Sequence, residues 1–390
     1  MKLNYVEIGS TGIEVIDGDR GKNYPHQNEL LEKGDCVFLS ANNVTSTGFK
    51  FDSLVYISAE KDAVLRNGKL KKNDIVITTR GTVGNVAIYD DSITYSDIRI
   101  NSGMLIVRCN DNVDCKYIYH VLRSNAFQRQ IKQIQTGTAQ PQLPKSHFLK
   151  MQICLPPLEI QKKISSFLGS LDLKIKCNEH INQNLYEQIQ TIYCKDFDPV
   201  SHEVTGVLSD ICKLSTDKVQ ISNLSVSTYY STENMQPNKA GAVDASSLPA
   251  VSQTTRCRKG DVLVSNIRPY FKKIVYVTEE CGCSTDVLCF VPQPDYSAFL
   301  FGTLYMDRFF DYMVAGSKGT KMPRGDKQQI MKYPIVVPTT EAIIAFNAAV
   351  TPMLEQIAIN NKENVRLATM RDTLLPRLMS GELDVSEIEL

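Results

Sequence analysis

Two passages of the chain read as one pattern written twice: GTAQPQLPKSHFLKMQICLPPLEIQKKI at Gly137–Ile164 and GTKMPRGDKQQIMKYPIVVPTTEAI at Gly319–Ile343. Each starts with Gly-Thr, reaches a proline, runs through a short apolar strand that also ends in proline, and opens a long helical stretch. Gly137 and Gly319 lie 182 positions apart, and the offset holds without gaps on both sides of them. Tyr117 faces Phe299, Leu122 matches Leu304, Phe127 matches Phe309, Lys145 matches Lys327, and Pro156 matches Pro338. Glu159 matches Glu341, Asn178 matches Asn360, and Leu185 matches Leu367. Over roughly 77 paired positions about 15 are identical, and the order turn, proline, helix is the same in both. The chain reads as two copies of one module.

Upstream of the shared passage each copy carries β-like runs: DIVITTRGTVGNVAIY and GMLIVRC in the first, GDVLVSNIRPYFKKIVYVT and VLCFVP in the second. Helical patterns follow, over about 116–134 and 296–314. The expected fold is α+β: two mixed α/β lobes, 1–155 and 205–338, separated by two long antiparallel helices in a coiled-coil spacer, with a pseudo-twofold internal repeat. The connector 156–204 carries the first long helix, and 339–390 the second with a C-terminal tail. In the first helix Ile164, Leu171, Asn178 and Leu185 fall seven apart; in the second Phe346, Met353, Asn360 and Leu367 do the same, which is a helix-pairing pattern. A central Asn in each seam predicts that Asn178 and Asn360 meet where the helices cross, and Pro352 predicts a kink or local break. As helix, residues 159 to about 194 would span ~54 Å. Two similar lobes on such a spacer suit an extended, quasi-twofold ligand, and duplex DNA, with reading heads ~34–36 Å apart, is the common case.

The 390 residues contain 43 Lys plus Arg and 43 Asp plus Glu, a net charge of zero that excludes a uniformly basic nucleic-acid coat. The charge is unevenly divided. Residues 1–155 hold 19 basic against 16 acidic residues and 205–338 hold 15 against 12, whereas 156–204 hold 5 against 7 and 339–390 hold 4 against 8. Mildly basic lobes on acidic helices suit phosphate attraction at the lobes and protein contact along the helices. The start of the chain carries no secretory pattern, and no uninterrupted apolar run nears the ~18 residues of a membrane span, so a cytoplasmic protein is expected. The eleven cysteines have scattered spacing without CxxC and read as free thiols. A phosphate-binding GxxxxGK[ST], an HExxH and a GxSxG are all missing from the sequence, as is an Asn- or Asp-Pro-Pro-Tyr segment. No catalytic residues and no metal site are expected.

Taken together, the two turn-to-helix passages, KNDIVITTRGTVGN (72–85), KGDVLVSNIRPY (259–270), the loop DGDRGKNYP (17–25) and the C-terminal LLPRLMSGELDV (374–385) resemble the specificity (S) subunit of Type I restriction-modification systems. The resemblance covers nearly the whole chain. It implies that each lobe is a target recognition domain reading half of a bipartite site on double-stranded DNA, while the helices set the spacing. It also implies two methyltransferase (M) subunits carrying S-adenosylmethionine and docked beside the helices, and restriction (R) subunits that use ATP and Mg; no cofactor is expected on this chain. The sequence departs from the family at Glu341-Ala342, where Glu-Gln is usual, and at Pro352.

Loops on a rigid scaffold are where recognition sits. The DNA-binding candidates in the first lobe are Arg20, Lys22, Tyr24, Asn42, Asn43, Arg80 and Thr82. In the second they are Arg268, Tyr270, Lys272, Lys273, Lys318 and Lys321. Because these loops differ between the copies, the expected target has two unlike half-sites. A coiled-coil adaptor that never reads DNA is the competing reading.

Overall fold

Turn residues and prolines divide the chain into short strands and short helices, apart from two helices of 40 residues, Leu158–Phe197 and Thr340–Met379. The computed structural model describes residues 5–134, 141–380 and 382–383. Most of the first Gly-Thr turn (137–140) and part of the C-terminal motif (381 and 384–385) lie outside the described residues. The chain divides into two compact units. One comprises 1–175 and 365–390, the other 176–364, so each long helix contributes one part to each unit.

In the first unit, apolar runs bounded by Asp, Gly and Asn make a four-stranded antiparallel sheet. Its order is Glu14–Asp17, Met104–Arg108, Ile75–Thr78, Val86–Ile88. A second sheet orders Tyr56–Ile57, Cys36–Leu39 and Ile98–Ile100, the last two parallel. In the second unit the corresponding sheet orders Cys212–Leu214, Val287–Pro292, Val262–Ser265 and Ile274–Tyr276. Its neighbour again contains one parallel pair, Tyr229–Tyr230 with Cys281–Cys283. Each unit also pairs an early strand with the strand before its long helix: Tyr5–Glu7 with Gln152–Cys154, and Gly206–Val207 with Pro334–Ile335. The repeat read in the sequence is thus a repeat of topology.

The motifs KNDIVIT and KGDVLVS recur for a local reason. Asp74 and Asp261 are both buried, and each accepts a backbone N–H three residues upstream, from Lys71 and Arg258, both at 2.7 Å. That closes the turn feeding the central strand. Arg108 neutralises Asp74 at 2.7 Å, whereas Asp261 faces the Cys289 thiol at 3.4 Å, and burial raises its carboxyl pKa.

The helical patterns at 116–134 and 296–314 are each two helices, Cys115–Arg123 with Asn125–Ile134 and Ser297–Leu304 with Asp307–Ala315. The first break falls at Ser124, whose hydroxyl donates back to the Val121 carbonyl and accepts from the Phe127 N–H, ending one helix and capping the next. These helices bury Tyr117 and Phe127 in the first unit and Phe299, Phe301, Phe309 and Phe310 in the second. There Phe299 packs against Tyr193, Phe197 and Phe346 of the long helices, with ring centroids 5.6, 5.1 and 5.9 Å away. Each such ring adds roughly 1.5–3 kcal/mol of burial.

In both units the two long helices run antiparallel. In the first, Ile164 and Leu168 share a core with Leu375 and Leu378, and Arg371 binds Asp172 at 2.6 Å. In the second, Asn178 donates to Glu363 and Asn364 (both 2.8 Å), Asn182 donates to Asn361 (2.9 Å), and Asn360 donates to Asn182 (2.7 Å). The expectation that Asn178 and Asn360 pair with each other is corrected here: the register is displaced by one turn, so each meets the residue four positions from the anticipated partner. Both are buried, as are Ile164 and Phe346; Leu171, Leu185, Met353 and Leu367 are half-buried. The second helix continues through Pro352, so the expected break does not occur. By length and composition it is apolar enough to cross a membrane, although Val350, Leu354 and Ile357 are buried within the protein core.

Candidate nucleic-acid interface

In both units the loop after the central strand is built on the same three backbone contacts. In the first, Thr79 N donates to Gly103 O (2.8 Å), Leu143 N donates to Thr79 O (3.0 Å), and Arg80 bridges to Gln142. In the second, Asn266 N donates to Asp286 O (2.8 Å), Gly325 N donates to Asn266 O (3.2 Å), and Ile267 bridges to Arg324. The segment after each Gly-Thr turn therefore clamps the base of a loop whose side chains differ between the two copies. At that base Thr79 Oγ1 and Asn266 Oδ1, at corresponding positions, are buried with no hydrogen-bond partner among the described residues, and so is Arg268 Nε. Two such atoms thus recur at one duplicated spot, the base of the loop.

Around the first loop the structure gathers several candidates. Arg20 Nη2 donates to Ser102 O at 3.3 Å, on the same turn whose Gly103 carbonyl accepts from Arg80 N, so Arg20 and Arg80 flank one turn. Arg20 also pairs with Asp17 at 3.0 Å. Gly18 is required there, because a Cβ on it would lie 2.0 Å from Asn101 O. The Asp19 carboxylate accepts N–H groups from Gly21 (2.8 Å) and Arg66 (2.7 Å). Burial raises its pKa, but these backbone bonds outweigh it and keep the group ionised below the usual range. Asn85 Nδ2 ties the loop to Val44 O at 2.9 Å, next to Asn42 and Asn43.

Asn42 is exposed, but Asn43 is buried and its amide is fully engaged: Oδ1 accepts from Ser40 N (2.9 Å) and Nδ2 donates to Lys50 O (3.1 Å). Its role is to shape the loop, and it offers no free edge to a ligand. Lys22, Arg80 and Thr82 are exposed, and neither Lys22 nor Arg80 forms an ion pair among the described residues. Tyr24 packs edge-on against Phe38 at 5.8 Å, with its ring half-buried.

In the second unit Arg268, Tyr270 and Lys272 lie on one tight turn, and Lys318 and Lys321 on the segment that clamps it. Lys272 and Lys239 both bind Asp307, at 3.1 and 2.6 Å. Burial raises Asp307, yet hydrogen bonds from the two lysines hold its carboxyl below the ordinary range. Lys318 is exposed and pairs with Asp326 at 2.7 Å; Lys321 is exposed without an ion pair among the described residues. Lys273 is turned inward, donating to Thr232 O, and burial lowers its pKa, so its ammonium is the least available of the group. Reasoning from sequence missed Arg324, Lys239 and Phe271. Arg324 was legible through the repeat, since it stands 182 positions beyond Gln142, the bridging residue of the first loop. Among the described residues no group of three or more His, Cys, Asp or Glu could hold a metal ion.

A family model described as the Type I restriction modification DNA specificity domain matches residues 13–187, the first copy and most of the first long helix. Similarity to curated proteins extends over both copies. The Type I restriction enzyme MjaIX specificity subunit of Methanocaldococcus jannaschii is 23% identical over 348 residues, covering 81% of this chain and 79% of that protein. The HindI specificity subunit of Haemophilus influenzae is 21% identical, covering 94% and 98%. The chain is thus similar to Type I restriction enzyme specificity subunits along most of its length, and residues 13–187 match their DNA specificity domain. Its fold is similar to the crystal structure of the Type I S subunit from M. genitalium, with TM-score 0.53 at 15% identity, covering 97% of this chain and 96% of that one.

Proposed function

We propose that the chain reads double-stranded DNA as the specificity subunit of a Type I restriction-modification complex, each lobe recognising one half of an asymmetric bipartite site. The duplicated loop carries this reading: the backbone clamp is the same in both units, while the presented groups differ. The first lobe offers Arg20, Asn42, Arg80 and Thr82, with Lys22 at its edge. The second offers Arg268, Tyr270, Lys321 and Arg324, with Lys272 and Lys318 nearby. Guanidinium and amide groups can bind guanine and adenine edges with two hydrogen bonds, whereas lysines suit phosphates.

The target recognition domains are assigned to 1–155 and 205–338 and the spacer to 156–204 and 339–390. A 40-residue helix is about 60 Å long, more than one turn of duplex. Two modification subunits, the holders of S-adenosylmethionine, would dock on the long helices, where Leu173, Ile181, Ile344, Ile359 and Val365 are exposed. Restriction subunits using ATP and Mg would join that core. The chain itself is assigned no reaction and no cofactor, and it would work in the cytoplasm, where the DNA is.

The test is to co-express the chain with its neighbouring methyltransferase and translocase genes and sequence the host DNA with a methylation-sensitive method. A gapped motif with two different halves is expected, and exchanging residues 1–155 for another lobe should change one half only. A continuous palindrome, or a motif indifferent to the exchange, would overturn the proposal.

A further inference from the structure

The second lobe carries a feature that the first lacks. Its recognition turn, Arg268-Pro269-Tyr270-Phe271-Lys272, presents two aromatic rings to solvent, Tyr270 at 49% and Phe271 at 38% exposure, with centroids 4.7 Å apart. The corresponding loop of the first lobe runs Gly81-Thr82-Val83-Gly84-Asn85 and has no aromatic residue. Exposed rings of this size forgo the burial that would otherwise favour folding, and here they sit on a turn held in an unfavourable conformation. Arg268 and Lys272, on either side of the rings, have φ of +49° and +51°, and Asn238 and Lys239 have φ of +56° and +62°.

These strained residues support one another. Asn238 N donates to Phe271 O at 2.7 Å and Lys239 N to Lys272 O at 2.8 Å, while Arg268 N donates to Pro323 O at 2.8 Å. Pro269 fixes φ inside the turn. Three loops thus converge to hold a rigid aromatic tip, and Met322, next to the Pro323 carbonyl that receives Arg268, is itself 51% exposed. Four basic side chains stand around the tip: Arg268 and Lys272 on the turn, Lys321 and Arg324 on the clamp. Lys272 is paired with Asp307 at 3.1 Å and Arg324 with Asp286 at 3.0 Å, while Arg268 and Lys321 form no ion pair among the described residues. An apolar point with basic side chains at its edge fits a polyanion whose interior is stacked and apolar.

We propose that the Tyr270–Phe271 tip is a wedge that enters between two base pairs of the second half-site and unstacks them, while the rim cations hold the flanking phosphates. The inference rests on the DNA-reading role proposed above. It makes the second half-site partly a matter of deformability, favouring a soft pyrimidine–purine step where the wedge enters. The first half-site is read without such a distortion.

The experiment uses the full chain assembled with its modification subunits and duplexes carrying the methylated motif, with 2-aminopurine placed in turn at each position of either half-site. Binding should raise the fluorescence severalfold at one step of the second half-site and at none of the first. Y270A/F271A should abolish that rise and weaken binding to the motif roughly 10-fold or more, whereas Y270L/F271L, which keeps an apolar point, should retain it. Circular dichroism and unchanged recognition of the first half-site establish that the variants are folded. Wild-type binding without a localised rise, or a rise that persists in Y270A/F271A, overturns the wedge. So does failure of Y270A/F271A to assemble with the modification subunits while assembled complexes show the rise, since the tip would then be a protein contact. Failure of the wild type to bind the motif duplex overturns the DNA-reading role itself, and the wedge with it.

Discussion

At the scale of single residues, Asn42 and Asn43 show why a loop sequence does not assign roles. They are adjacent and chemically identical, yet Asn43 is buried with its amide bonded to the backbone on both sides while Asn42 faces solvent. Asn43→Ala should therefore lower stability by about 1–3 kcal/mol in denaturant unfolding and leave the bases of the methylated motif unchanged. Arg80→Ala should do the opposite: relax the first half-site, at a cost of about 1–3 kcal/mol in binding, with no loss of stability. His120 is another case. It is buried, and burial pushes its pKa down to about 4 in spite of Asp172 3.7 Å away; Arg123 and Arg371 beside it also oppose protonation. An unfolded His, near its ordinary pKa of 6.5, binds a proton that the folded one refuses. Stability should then fall as pH drops from 6.5 toward 4, by on the order of 3 kcal/mol in total. Thermal unfolding between pH 6.5 and 5 should show this slope, and His120→Gln should flatten it. An unchanged slope would mean that another group titrates; the buried Asp261, with its raised pKa, acts in the opposite sense.

At the scale of elements, the long helices are held together differently along their length. In the second unit the pairing passes from an aromatic core around Phe346 and Tyr193 to a polar layer of Asn178, Asn182, Asn360, Asn361 and Asn364, in which Asn178 Oδ1 has no partner. Such a layer contributes little stability and much register, because a shift by one turn would strand buried amides. Replacing Asn178, Asn182 and Asn360 together by Leu should keep or raise the thermal midpoint. It should also admit a second register, seen as two spacer lengths among methylated motifs. A large fall in the midpoint with a single spacer would show the layer to be a stability element instead.

At the scale of the whole chain, the zero net charge conceals two lobes of +3 and two helical segments of −2 and −4, each being the difference between the basic and acidic counts of its segment. Attraction to DNA should come from the lobes alone. Site binding should weaken steeply with salt, and neutralising Lys321 and Arg324 should reduce the slope of log K against log salt by nearly one unit for each phosphate contact removed. A slope unaffected by both changes would place the phosphate contacts elsewhere. Lobe exchange belongs to this scale as well, since it separates what each module reads from what the helices measure.

The duplication, the α+β class, the two long helices and the absence of familiar nucleotide-binding and hydrolase motifs were all legible in the sequence. They depend on local pattern, and 182-residue periodicity, proline punctuation and heptad spacing survive without knowledge of contacts. Tertiary structure alone decided the helix register, since a heptad pattern permits several alignments one turn apart and only the packing of Asn178 against Glu363 and Asn364 selects one. It also separated Asn43 from Asn42 and turned Lys273 inward. Finally, it brought Asn238, Arg268 and Pro323, distant in sequence, into the support of one exposed aromatic turn. Those outcomes depend on which backbone groups meet across the fold, and no periodicity in the chain encodes them.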